Sequence, residues 1–260
     1  MLNLFTFLFA RFKKTTYTTA VLTRTGGRKT NEDRIGWQVS KHQRGFWVLA
    51  DGVGGNGCGD IAADLVVTTV RKEFPQHLNI NRETVRLLLN AIDLGIMDVQ
   101  QITQGGENMA STGVLLLMQR NQAVWGHIGD SRLYRIHKGQ CQCLTKDHTL
   151  AQLLVDQGQI SAEQILSRPE RHQLMQSLGG NFYRMSISQM EKIHTNDVFI
   201  LCSDGFWEYI QEDDLLNYLT RAQPLQTSLL QLEQALLTRV EQRGLLAHHD
   251  NYSALVVKIE

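Results

Sequence analysis

The stretch FWVLADGVGGNGCGDIAADLVV, residues 46–67, joins an apolar strand directly to an aspartate, a glycine-rich turn and a segment that we expect to be a helix. A phosphate-binding loop would explain the glycines. Such a loop ends on a lysine, however, and this stretch contains none. Asp51, which stands at the end of the strand, therefore needs another explanation.

The composition is that of an ordinary globular protein. The 260 residues include 42% hydrophobic and 20% charged side chains, which fits one large domain. The net charge of zero favours neither nucleic acid nor an acidic membrane as a partner. The cysteines have no disulfide-framework or zinc-knuckle spacing, so we expect reduced thiols and a cytoplasmic location. They stand at positions 58, 141, 143 and 202.

The N-terminus, MLNLFTFLFARFKK, is an apolar run followed by basic residues. The run is too short to span a bilayer, and its charges follow it, whereas a signal peptide carries them in front. We interpret residues 1–19 as an N-terminal arm that packs on its own domain. A weak interfacial anchor or a docking segment is the alternative. No transmembrane segment is expected.

Periodicity predicts the helices and strands. In NRETVRLLLNAIDLGIMDVQQI (81–102) and LQTSLLQLEQALLTRVEQ (225–242), apolar residues recur every three or four positions, which indicates amphipathic helices. Residues 111–145 hold short apolar or alternating runs separated by RNQ and HKGQ, which predicts an antiparallel meander. FWVLA, VFILC and YSALVVKI are further strands. Strands grouped apart from long helices favour an α+β fold over a parallel sheet.

Acidic residues stand at the ends of several predicted strands. They are Glu32 and Asp33 in NEDR, Asp51 after FWVLA, Asp130 after VWGHIG, Asp204 after VFILCS, and Asp250 before NYSALVV. One Asp-Gly at a strand end is usually only a turn. If these carboxylates converge, they repel one another unless a cation neutralises them. Because all the donors are oxygens, magnesium or manganese is expected over zinc.

Eight motifs occur in a family order: RKTNEDR, LADGVGG, STG, GHIGDSRLYR, LTKDHT, SLGG, LCSDGFWE and HDNYSALVV. Through them the chain, from about residue 20 to 258, resembles the metal-dependent serine/threonine protein phosphatases of type 2C, bacterial branch. The resemblance implies a four-layer fold, in which helices flank a central antiparallel β-sandwich on both sides. It also implies one catalytic domain, residues 20–260, with a flap beside the active site at about residues 147–180.

The resemblance further implies a centre of two manganese or magnesium ions, with a third, weaker one. The implied ligands are Asp51 bridging two ions, the Gly52 carbonyl, Asp204 and Asp250 on the first ion, Glu32 and (through water) Asp33 on the second, and Asp130 on the third. Asp51 and Asp204, together with Arg28, form the predicted catalytic set.

Two further positions concern the phosphate and the leaving group. Arg28 matches the phosphate-binding arginine of the family, and its planar guanidinium can hold two phosphoryl oxygens. Some eukaryotic relatives carry a histidine after the first Asp-Gly, where it protonates the leaving oxygen. Here that position is Val53, which has no proton to donate. His148 and His172 are weak candidates, so the general acid stays unassigned.

The implied function is hydrolysis of phosphoserine and phosphothreonine in proteins by a water held between two metals that lower its pKa. The expected partners are a phosphorylated protein and a cognate serine/threonine kinase in bacterial signalling. The compact build is compatible with a role in type VI secretion control. We expect a monomer. The alternatives are a catalytically silent phosphoprotein-binding domain and a phosphatase for small phosphorylated molecules.

Overall fold

Two antiparallel β-sheets pack face to face at the centre of the computed structural model, which describes residues 15–40, 43–53, 58–180 and 184–260. Sheet I has the order β1 (Tyr17–Arg24), β12 (Tyr252–Ile259), β11 (Val198–Cys202), β7 (Arg132–His137) and β8 (Gln140–Cys143). Sheet II has the order β10 (Glu191–Lys192), β6 (Gln122–Ile128), β5 (Gly113–Gln119), β3 (Arg44–Val53) and β2 (Asp33–Val39). Two short strands join sheet II, β4 (Ala110–Ser111) beside β3 and β9 (Ser186–Ile187) beside β6.

Helices cover the outer face of each sheet. On sheet II these are α1 (Gly59–Glu73) and α2 (Arg82–Ile102), and on sheet I they are α5 (Glu212–Leu219) and α6 (Leu225–Gln242). The short helices α3 (Leu150–Asp156) and α4 (Asp204–Trp207) lie near one end of the sandwich. Single 3₁₀ helices span Phe74–Gln76, Gly106–Asn108, Ala162–Ser167, Pro169–His172 and Leu246–His248. Apolar side chains fill three layers, one between the sheets and one beneath each helix pair. The predicted α+β sandwich with four layers is confirmed.

Local sequence accounts for the longest helix, α2. The side chain of Asn81 caps its first turn by accepting a hydrogen bond from the Thr84 amide. The apolar face from Val85 to Ile96 is buried against sheet II. Each fully buried leucine or isoleucine on that face contributes about 1.5–3 kcal/mol relative to exposure. Packing of this face therefore holds α2 in place.

The predicted single meander over residues 111–145 is wrong. It is two hairpins, β5–β6 in sheet II and β7–β8 in sheet I, and the chain crosses between the sheets at Gly129, Asp130 and Ser131. Gly129 makes the corner with a φ of +96°, and Thr112 leaves no room there for a Cβ. Apolar alternation reports strand length but not the sheet to which a strand belongs, so the sequence pattern missed the crossing. The crossing sets Asp130 at the end of the sandwich.

The predicted N-terminal arm lies largely outside the described residues, as do all of residues 1–14. β1 begins at Tyr17, so the boundary predicted between residues 19 and 20 falls inside this strand. In the part of the chain that the structure describes, no helix has the length and apolar character needed to cross a bilayer.

Candidate active site

A cleft of about 960 Å³ opens at one end of the β-sandwich, where β3 and β11 end and β2 and β12 begin. Most of the predicted site residues line it: Arg28, Glu32, Asp51, Gly52, Asp130, Asp204 and Asp250. Asp33 is only 3% exposed and pairs with Asp51 across the β2–β3 ladder. The fold thus brings the predicted acidic residues of distant chain segments to one place.

Hydrogen bonds from the neighbouring strand fix the main chain of Asp51. Its amide donates to Thr112 Oγ1 over 3.0 Å, and its carbonyl accepts from the Thr112 amide (2.8 Å) and from Ser111 Oγ (3.0 Å). The next residue, Gly52, packs so tightly on the start of α1 that a Cβ would overlap the carbonyl of Gly59. Glycine is therefore required after Asp51 by the approach of a helix, a constraint that exists whether or not a metal is bound.

Asp130 occupies the corner where the chain changes sheets. It is 5% exposed, and its carbonyl accepts a hydrogen bond from the Trp207 indole over 3.0 Å. Burial first, and then the charges of Asp204 and Asp147, raise its pKa well above the ordinary value. A cation near this carboxylate would relieve that repulsion.

The pKa values of Asp51 and Asp33 are raised for the same two reasons. Burial is the largest cause for both, and the neighbouring carboxylates add to it. The pKa of Asp51 lies well above its usual range, and that of Asp33 rises to about 7. The pKa of Glu32 is also raised, by burial and then by Asp60 and Asp250. Four acidic residues that resist ionisation together form a site suited to a divalent cation.

One oxygen of Asp33 provides an independent test of whether these residues fit a metal. Oδ2 accepts a hydrogen bond from Ser203 Oγ over 2.8 Å, whereas the buried Oδ1 has no hydrogen-bond partner among the described residues. A buried, unsatisfied carboxylate oxygen is costly unless a ligand pairs with it. With the all-oxygen donor set around it, this atom fits coordination of a hard ion, directly or through water.

The carboxylates of the cleft are spaced more widely than the ligands of a single bare ion. Among the described residues, no three acidic side chains of the cleft bring their ligand atoms within 4.8 Å of one another. A centre in which water fills some of the coordination positions does not require three carboxylates so close together.

Basic side chains contact two of the predicted ligands. Arg28 donates from Nη2 to Asp250 Oδ2 over 2.6 Å, with its side chain 58% exposed. His172, in the predicted flap, has Nδ1 3.3 Å from Asp204 Oδ2, and this contact raises the pKa of His172. The neighbouring Arg171 binds the buried Glu208 over 2.9 Å. These two contacts hold the segment that carries Arg171 and His172 against Asp204 and Glu208.

His172 has a position that sequence reasoning did not anticipate. It lines the cleft and contacts the predicted ligand Asp204, which lies 32 positions later in the chain. Val53 also lines the cleft and offers no proton. His148 does not line it; Nδ1 accepts from the Gly129 amide, and Nε2 lies 2.9 Å from Ser186 Oγ. Burial lowers the pKa of His148 to about 4, so this imidazole is neutral near pH 7.

Asn251 is a positioning residue that sequence reasoning missed. Its Nδ2 donates to the carbonyls of Thr25 (2.8 Å) and Thr30 (2.9 Å), and its Oδ1 accepts from the Glu32 amide (2.8 Å). One buried side chain thereby shapes the loop that presents both Arg28 and Glu32. The only available signal was its place directly after Asp250 in HDNYSALVV.

Comparison with known proteins gives the family. The model of the protein phosphatase 2C family matches residues 25–242. A putative protein phosphatase 2C-type of Streptococcus pyogenes is 29% identical over 196 residues, which cover 74% of this chain and 79% of that protein. The serine/threonine protein phosphatase PstP of Mycobacterium tuberculosis is 31% identical over 177 residues, which cover 66% of this chain and 33% of PstP.

Solved structures agree with the sequence matches. The M. tuberculosis PstP structure has a TM-score of 0.82 at 26% identity and covers 94% of this chain and 99% of its own. A PstP catalytic domain in complex with two manganese ions has a TM-score of 0.79 at 25% identity, with the same coverage. PppA, a key regulatory component of the type VI secretion system of Pseudomonas aeruginosa, has a TM-score of 0.70 at 27% identity and covers 94% of this chain and 98% of its own. The predicted resemblance is confirmed, and the chain belongs to the protein phosphatase 2C family.

Proposed function

We propose that this chain is a metal-dependent phosphatase that hydrolyses phosphoserine and phosphothreonine in bacterial proteins. The observation that supports this most strongly is the convergence of six acidic residues and Arg28 on one cleft. The serine/threonine phosphatase relatives, one of them solved with two manganese ions, support the same reaction.

The residues proposed to hold the metals are those that the cleft assembles. Asp51, the carbonyl of Gly52, Asp204 and Asp250 would hold the first ion, with Asp51 shared by the second. Glu32 and Asp33 would complete the second site, and Asp130 would hold a third ion. Bound manganese or magnesium would generate the nucleophile at neutral pH and neutralise the charge of the phosphate.

Arg28 is proposed to orient the phosphoryl group. Its contact with Asp250 engages one edge of the guanidinium, and its side chain is more than half exposed toward the cleft. Among the described residues, the other N–H groups of the Arg28 guanidinium make no hydrogen bond. They can therefore donate the paired hydrogen bonds that two phosphoryl oxygens accept. Asp250 and the loop held by Asn251 orient the guanidinium group of Arg28.

The similarity to bacterial serine/threonine phosphatases supports a proposal for the cellular setting. We propose a cytoplasmic monomer that opposes a serine/threonine kinase. The similarity to PppA makes type VI secretion control a specific candidate process, which deletion of the gene followed by a secretion assay would test.

Phosphate release from a phosphothreonine peptide tests the proposal. We expect turnover with manganese or magnesium and none with EDTA. Asp204→Asn should lower it by at least about a hundredfold, because even the partners of metal ligands typically contribute 10–100-fold. Asp98→Asn, an identical change at an exposed position of α2, is the matched control and should be unaffected.

Absence of turnover in a folded wild-type protein with either metal would contradict the proposal and favour a phosphoprotein-binding domain. A small-molecule phosphatase would instead show a higher kcat/KM on small phosphate esters than on phosphopeptides. The two substrate classes should be compared on the same preparation.

A further inference from the structure

A second group of metal-binding side chains lies far from the cleft. His137 ends β7, and His194 and Asp197 flank the turn that leads into β11. We call these three residues the distal histidine site. β11 runs from Asp197 toward Asp204, so the distal site and the cleft are roughly 20 Å apart along this strand.

The ligand atoms of the distal histidine site are already close together. Within the described parts of the chain, it is the one group of three His, Cys, Asp or Glu side chains whose ligand atoms all lie within 4.8 Å. His137 Nδ1 is 2.6 Å from Asp197 Oδ1, and His194 Nδ1 is 3.8 Å from Asp197 Oδ2. Ligands around a tetrahedral zinc ion, bonded at about 2.0–2.2 Å, are separated by about 3.4 Å. Small rotations of the two imidazoles would reach that arrangement.

The three residues combine one fixed ligand with two adjustable ones. Asp197 is 3% exposed and anchored, since its Oδ2 accepts from Arg135 (2.6 Å) and from the His194 amide (2.9 Å). Its Oδ1 has His137 as its only hydrogen-bond partner among the described residues, which leaves a lone pair for a metal. The side chains of His137 and His194 are 30% and 46% exposed, so solvent can deliver an ion to them.

The charge around the distal histidine site suits a cation. Arg135 contributes one positive charge, while Asp197 and Glu191, which Arg135 also binds at 3.0 Å, contribute two negative ones. With both imidazoles neutral, the side chains joined by these ion pairs sum to one negative charge. The donor set also differs from that of the cleft, because imidazole nitrogen favours zinc, nickel and copper over magnesium and manganese.

We propose that His137, His194 and Asp197 bind a zinc-class divalent ion at the end of the sandwich opposite the cleft. When the ion takes Nδ1 of the neutral His137 imidazole, the ring proton resides on Nε2, so the ligand stays neutral and no net proton is released. The ion connects the β7–β8 hairpin of sheet I to the turn that follows β10 of sheet II. It therefore stabilises the sandwich and takes no part in phosphate hydrolysis.

Equilibrium dialysis against Zn²⁺, with metal analysis, tests the inference on the full chain. We expect wild type to bind one more equivalent of zinc than His194→Gln and His137→Gln, or to bind that equivalent at least about tenfold more tightly. His77→Gln is the matched control, because His77 belongs to neither group of ligands and makes no side-chain hydrogen bond among the described residues. It should behave as wild type.

Two further measurements separate a metal site from a structural role of the histidines. Zinc should raise the melting temperature of wild type and His77→Gln by more than that of His194→Gln, which keeps the cleft but not the distal site and whose exposed side chain can change without unfolding the chain. Manganese-dependent phosphate release should be equal in all these variants. Equal zinc stoichiometry and affinity in every histidine variant would overturn the inference. So would loss of the zinc equivalent in Asp204→Asn alone, because the ion would then lie in the cleft.

Discussion

Replacing Asp33 by asparagine should stabilise the metal-free protein at neutral and alkaline pH. Asp33 is buried beside other carboxylates, and its pKa rises from 3.8 to about 7 on folding. The folded state then binds the proton of Asp33 more tightly than the unfolded state does. Stability is therefore lost as the pH rises from about 4 to about 7, and the whole penalty is present above pH 7. Asparagine carries no charge, so the substitution removes this penalty.

The size of the effect follows from the same values. One pKa unit corresponds to about 1.4 kcal/mol, so the rise to about 7 costs up to about 4 kcal/mol near pH 8. Asparagine keeps the acceptor for Ser203 but places an amide nitrogen where Oδ1 has no partner among the described residues, which costs about 1–3 kcal/mol. We expect a net gain of about 1–3 kcal/mol near pH 8. More than half of the electrostatic part should disappear near pH 5.

Urea unfolding in EDTA, followed by circular dichroism near pH 5 and near pH 8, measures this. Asp98→Asn, on the exposed face of α2, is the control and should change stability at neither pH. An Asp33→Asn variant that is no more stable than wild type near pH 8, or that gains the same stability at both pH values, would show that the pKa of Asp33 is not raised in this way. With manganese present the order should reverse, because the variant loses a predicted contributor to metal binding.

Three further substitutions test other parts of the site. Arg28→Lys keeps the charge but loses the paired N–H groups, so kcat/KM on a phosphopeptide should fall by about tenfold or more while manganese affinity stays the same. An unchanged kcat/KM would show that Arg28 does not bind the phosphate. Asn251→Ala should lower the free energy of unfolding by about 2 kcal/mol in a urea titration, since it leaves three partly buried main-chain groups without their hydrogen-bond partner, and wild-type stability would contradict that role. Gly52→Ala should weaken manganese binding, measured by calorimetry, because its Cβ overlaps Gly59, whereas Gly95→Ala in α2 has room and should be neutral or stabilising. Equal manganese affinity in both glycine variants would contradict the packing argument.

The sequence predicted the regular elements well, because local signals mark their ends. α6, β11 and β12 have the predicted bounds, and α2 begins one residue later than predicted because Asn81 caps it rather than joining it. The corner at Gly129 was missed, because it depends on contact with Thr112 in another strand and not on any local apolar pattern.

The sequence predicted which residues line the cleft but not how they contact one another. Acidic residues at strand ends, read together with the family motifs, identified the residues that the cleft assembles. Contacts across long sequence distances could not be predicted from those motifs, as with His172 on Asp204 or Asn251 on the loop that carries Arg28. The sequence motif explained Gly52 only as a metal ligand. In the structure, glycine is also required there because the main chain packs tightly against Gly59, the first residue of α1.

Anomalous diffraction from crystals grown with manganese would locate the ions of the proposed two-metal centre without reference to turnover. We expect two peaks about 3.5–4 Å apart in the cleft, both within bonding distance of the Asp51 carboxylate. Peaks that do not contact Asp51, or an empty cleft in crystals soaked at saturating manganese, would contradict the two-metal centre.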